Sequence, residues 1–70
     1  MNRSGSLEDY LEAVQSTIKA HPSYREGQAF FNTLALQRPD LSEQIVGTDL
    51  DPYATDKRIG GFLRWIEAHW

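Results

Sequence analysis

Seventy residues without a cysteine exclude a disulfide framework and a thiolate zinc site, so packing alone must hold a domain that buries only roughly 60% of the surface its unfolded chain exposes. Hydrophobic residues make up 40% of the chain, with two Trp, three Tyr and three Phe, which is too rich for a disordered segment. A net charge of −3 and a pI near 5.1 weigh against a nucleic-acid binder, because phosphate contacts dominate that affinity.

No apolar run approaches the ~18 residues that span a bilayer. Met1 to Ser6 lack the charged-then-apolar order of a secretory signal. The expectation is one cytoplasmic, all-α domain over 1–70, with residues 1–5 disordered and no membrane association.

Leu7, Tyr10, Leu11, Val14 and Ile18 recur with the spacing of an amphipathic helix, predicted over 7–20. Ser6 and Asp9 form a capping-box pattern, and Pro22 sets the end. Ser23 and Glu26 suggest a second capping box and a helix over 24–37, ahead of Pro39. Its apolar residues fill a broad arc of Tyr24, Phe30, Phe31, Leu34 and Ala35, with Ala29 and Leu36 opposite. That pattern predicts a central helix contacted from more than one direction. Gly27 costs about 1 kcal/mol against alanine there, so close approach by a neighbouring helix is expected.

Pro39, Asp40 and Glu43 suit the start of a short helix over 39–46, and Gly47 suits a left-handed cap behind it. Thr48 to Thr55 shows no periodicity and reads as a structured loop. Ile59, Phe62, Leu63, Ile66 and Trp70 predict a last helix over 57–69, capped by Thr55 or Asp56. The whole is a compact bundle of three main helices plus a short one.

Chemistry-bearing groups are sparse. His21 and His69 stand singly at helix ends, without ligand spacing, and read as capping or solvated residues. Asp49, Asp51, Tyr53 and Asp56 have the two-residue rhythm that opens a calcium loop. Counting from Asp49, however, Ala54 falls where the turn glycine belongs and Gly60 where a bidentate glutamate is needed. No metal, cofactor or catalytic residue is therefore expected. The competing role for these aspartates is closing turns through the backbone and capping the last helix.

Gln28 and Asn32 share one side of the central helix. They read as anchors of the loop at Gly47, Thr48 and Asp49, with amides offered to a ligand as the other reading. Asp40 to Asp56 holds five acidic residues and no Lys or Arg, and Lys57, Arg58 and Arg64 follow. Such a juxtaposition either steers a partner or is a solvated face. Trp65 lies off the centre of the last apolar stripe, near Arg58. It is a binding hot spot, a packing residue against the first helix, or a self-association contact.

The stretches G-Q-A-F-F-N (Gly27 to Asn32), R-P-D-L (Arg38 to Leu41), G-T-D-L-D-P-Y (Gly47 to Tyr53) and the closing F-L-R-W-I-E-A-H-W resemble a group of short proteins from bacteriophages, prophages and bacterial genomes. The resemblance covers about Tyr24 to Trp70. Val46 stands where that group favours a basic residue, and Ala54 where it favours an aromatic. The likeness implies a phage-related setting and, by analogy, an accessory protein that occludes a host machine, as anti-CRISPR and anti-restriction proteins do. The expected function is thus non-enzymatic protein binding through Asp49, Asp51, Tyr53, Arg58 and Trp65, with Gln28, Asn32, Gly47 and Thr48 bracing the loop. A nucleic-acid-associated regulator using Lys57, Arg58 and Arg64, or a self-assembling subunit such as a homodimer, are the alternatives.

Overall fold

A computed structural model describes residues 6–70, so the expectation for residues 1–5 lies outside the described residues. The first helix, α1, spans Leu7–Ala20. Its start is the capping box read from the sequence: Ser6 Oγ accepts from the Asp9 N–H at 3.3 Å, and Asp9 Oδ2 accepts from the Ser6 N–H at 3.2 Å. Tyr10 and Val14 are fully buried, while Leu7, Leu11 and Ile18 pack at the margin of the core.

The second helix, α2, spans Glu26–Gln37. It begins two residues later than predicted, and Ser23 and Glu26 do not form its cap. A turn closed by the Tyr24 N–H on the His21 carbonyl keeps Tyr24 outside the helix, its ring stacked on His21 at 4.5 Å. The start is set by Gln28, whose Oε1 accepts from the Arg25 N–H at 2.9 Å, and by a carboxylate from far along the chain. Asp56 Oδ1 accepts from the Gly27 N–H at 3.0 Å, where the orphan donors and the positive end of the helix dipole favour an anion.

Helix α3 spans Pro39–Ile45, with Pro39 in the first turn as expected. Gly47 follows at φ 77°, the left-handed geometry a C-terminal glycine supplies. After the loop, a 3-10 turn over Asp56–Arg58 runs into α4, Ile59–His69. Thr55 caps that turn by accepting from the Lys57 N–H at 3.3 Å, which leaves Asp56 to serve α2.

The fold is all-α, with no strand among the described residues. Its radius of gyration of 11.2 Å is close to the about 11 Å expected for 70 residues at ordinary density. Helix α2 is central, packed by α1, α3 and the 3-10 turn. Ala29 is fully buried, but Leu36 on the same side is 85% exposed, so the second direction of contact covers only the first half of α2. No described helix is long and apolar enough to cross a membrane.

Tyr10 joins α1 to α2 through its hydroxyl, which donates to the Phe30 carbonyl at 2.6 Å. The Tyr10 ring also lies 5.2 Å from that of Trp70 and 6.4 Å from that of Phe30. Thr17 and Thr33 share a hydrogen bond at 2.9 Å between the same two helices. Arg38, the hinge residue between α2 and α3, grips Asp40 with two hydrogen bonds. It also donates to the Trp70 carbonyl at 3.1 Å and covers the Trp70 ring at 5.0 Å, which ties the end of α4 to the α2–α3 corner.

Burial raises the Tyr10 phenol well above the ordinary tyrosine range, so the folded chain keeps this proton where the unfolded chain releases it. Above about pH 10 the unfolded state therefore binds fewer protons, and stability falls as pH rises. Tyr10→Phe is expected to lower stability by about 1 kcal/mol at neutral pH. It should also remove an alkaline slope of up to about 1.4 kcal/mol per pH unit. Urea denaturation of both proteins between neutral pH and about pH 11 measures both effects; parallel curves across that range would exclude this role for Tyr10.

Candidate partner-binding surface

The loop from Val46 to Thr55 is braced mainly from within. Thr48 donates its hydroxyl to the Ile45 carbonyl at 2.6 Å and accepts from the Leu50 N–H at 3.2 Å. Asp51 is its hub: Oδ2 accepts from the Gly47 N–H and Oδ1 from the Tyr53 N–H, both at 2.9 Å. With 8% exposure, Asp51 is turned inward, and its two oxygens hold the loop's shape. This corrects its place in an exposed acidic surface. An aspartate ahead of Pro52 bonding the amide two residues on is the Asx turn such a sequence favours.

The expected anchors divide in the same way. Gly47 and Thr48 do brace the loop. Gln28 instead caps α2, and half-buried Asn32 makes no side-chain hydrogen bond among the described residues. Neither amide holds the Gly47–Asp49 stretch. The external braces are two arginines. Arg25 Nη2 donates to the Tyr53 carbonyl at 2.6 Å, while its Nη1 lies 3.5 Å from Asp56 Oδ1. Arg58 Nη1 donates to the Thr48 carbonyl at 3.2 Å.

Gly27 lies against this assembly. A Cβ there would collide with the Pro52 carbonyl oxygen and stand 2.9 Å from Asp56 Oδ1. The close approach foreseen for Gly27 is thus made by the loop and not by a helix. Arg25, Gly27 and Asp56 form a junction that the sequence reading did not single out. The only local hint was the glycine in the first turn of an amphipathic segment.

What remains outward is narrower than the acidic run suggested. Asp40 is bonded to Arg38, which holds its carboxyl below the usual carboxylate range. Asp51 is buried and Asp56 faces Arg25. Glu43 and Asp49 remain exposed with no cation in reach among the described residues. Tyr53 is 44% exposed and its ring meets Phe31 edge-on at 6.0 Å, so an aromatic pair shows at the surface.

Arg58 borders this region through Thr48. Trp65 is separate, about 10 Å further along the helix axis. It packs half-buried against the core, stacked on His69 at 4.1 Å, and its carbonyl accepts from His69 Nδ1 at 2.8 Å. The structure therefore joins Arg58 to the loop through Thr48, leaves Asp49 and Tyr53 exposed on that loop, buries Asp51, and packs Trp65 half-buried against the core. No protein family, curated protein or solved structure matches the chain.

Proposed function

We propose that the chain is a protein-interaction module that docks through the Val46 to Thr55 loop, with Tyr53 as the aromatic anchor and Asp49 as the charge that orients the partner. The observation that carries this reading is a partly exposed Tyr53 on a loop fixed by Asp51, Arg25 and Thr48. Fixing the loop in advance removes ordering entropy from binding. Aromatic side chains with apolar neighbours are the usual hot spots of such contacts. Val46, 56% exposed, adds apolar area on the same segment.

The motif resemblance supports a phage or prophage accessory role, with a host assembly such as a defence complex as the target. A nucleic-acid role has less support: Arg58 is engaged with Thr48, which leaves Lys57 and Arg64 as its outward cations. A non-enzymatic role is part of this reading, whose surface combines the Phe31–Tyr53 aromatic pair with the Asp49 carboxylate.

Charge reversal is informative at Asp49 and not at Asp51, whose replacement would dismantle the loop. Tyr53→Ala and Asp49→Lys are each expected to retain the far-UV circular dichroism of the wild type and to lose the proteins that wild-type bait retains from host lysate. Retention of the same set by both variants would refute the proposed surface.

A further inference from the structure

Between α1 and α4 lies a hollow of about 310 Å³, lined by Leu7, Leu11, Leu63, Arg64 and Glu67. None of these residues belongs to the Val46 to Thr55 loop, and the hollow is independent of the function proposed above. The three leucines are half-buried, so each keeps apolar surface in water, while Arg64 and Glu67 are exposed. Neither charged group forms an ion pair within the described chain.

The arrangement on α4 is specific. Leu63, Arg64, Glu67 and Ala68 fall within one arc of the helix, because residues three and four apart share a face. A rim of one sign would fit a partner of the other sign. Here the rim carries one cation and one anion three residues apart, a pattern complementary to its own image under a two-fold rotation. If a second α4 lies antiparallel with Arg64 opposite Glu67 of the second copy, symmetry places Glu67 opposite Arg64 of the second copy. The same register sets Leu63 over Ala68 of the second copy, where a small exposed side chain leaves room for it.

We infer that this hollow is a self-association surface, occupied by a second copy of the chain in a two-fold homodimer. The α4 helices pack antiparallel across Leu63 and Ala68. Leu7 and Leu11 close the sides, and two symmetric Arg64–Glu67 pairs fix the register.

The test is sedimentation equilibrium of the full chain from about 10 µM to about 1 mM, a range that brackets the weak associations of small interfaces. The weight-average mass is expected to climb from the monomer toward twice that value. Arg64→Glu alone and Glu67→Arg alone should each weaken association by about tenfold or more, since each turns two attractive contacts into repulsive ones. An equimolar mixture of the two variants should recover wild-type association. In that mixture the new carboxylate at position 64 meets the new guanidinium at position 67, and the native Glu67 and Arg64 meet on the other side of the axis. Leu63→Asp should be monomeric with unchanged helical signal. A chain that stays monomeric throughout overturns the proposal and leaves the hollow to a different occupant. Association that survives both single charge reversals, or a mixture that fails to recover, overturns it as well.

Discussion

Gly27→Ala is expected to destabilise the protein by about 3 kcal/mol, although alanine is the better helix former by about 1 kcal/mol. The added methyl would enter the space held by the Pro52 carbonyl oxygen and crowd Asp56 Oδ1. A backbone carbonyl cannot swing aside as the end of a flexible side chain can, so the loop must move. Overpacking of this kind costs about 1–3 kcal/mol. The displacement also stretches the Gly27 N–H bond to Asp56, and charge-assisted bonds contribute about 1.5–3 kcal/mol each.

Gly60 supplies the matched control. It is helical, exposed, and has nothing within 4 Å of its would-be Cβ, so Gly60→Ala should stabilise by about 0.5–1 kcal/mol. Urea denaturation midpoints at unchanged slope measure both substitutions. Two glycines in amphipathic helices of one chain should thus respond with opposite signs. If both alanine variants gain stability, the loop does not bear on α2 as described.

The contrast between these glycines also marks what the sequence conveys. Periodicity and caps act over three or four residues, and α1, with its Ser6–Asp9 box, and α3, with Pro39 and Gly47, were legible to within a residue for that reason. The start of α2 was not, because the group that satisfies the Gly27 N–H is Asp56, 29 residues downstream. No local pattern distinguishes an aspartate that caps its own helix from one that caps another. Thr55 could serve the last helical segment equally well, and it caps the 3-10 turn that leads into α4.

The candidate site was legible in part for the same reason. The aspartates of Asp49-Leu50-Asp51 look alike in the chain, yet one is exposed and the other is the hub of the loop. What separates them is Pro52. It follows Asp51 immediately, denies the loop one amide donor, and places the Tyr53 N–H where the Asp51 carboxylate can take it. The exposure of Tyr53 has no local signature, since it depends on Phe31 lying beneath it. The pairing of Arg38 with Trp70 is likewise a tertiary event between a helix hinge and the chain's last residue.

Asp51→Ala is expected to cost about 3 kcal/mol. Two backbone amides, those of Gly47 and Tyr53, depend on this one carboxylate. Each charge-assisted bond contributes about 1.5–3 kcal/mol, less whatever water recovers once the loop opens. Asp51→Asn should cost roughly half as much, because the amide oxygen can serve one N–H while its NH2 group opposes the other.

Local and global consequences separate in hydrogen exchange. Loss of Asp51 frees the Gly47 and Tyr53 amides first, whereas the core amides around Phe30 and Leu34 should lose protection only by the global change in stability. If Tyr53 is the docking anchor, the asparagine variant offers a further discrimination. It remains folded but displays Tyr53 on a loosened loop, so partner binding should weaken chiefly through a faster off-rate as the ordering entropy returns. Uniform loss of protection across the domain, with no early release at Gly47 and Tyr53, would instead mean that Asp51 supports the whole core and does not specifically shape the loop.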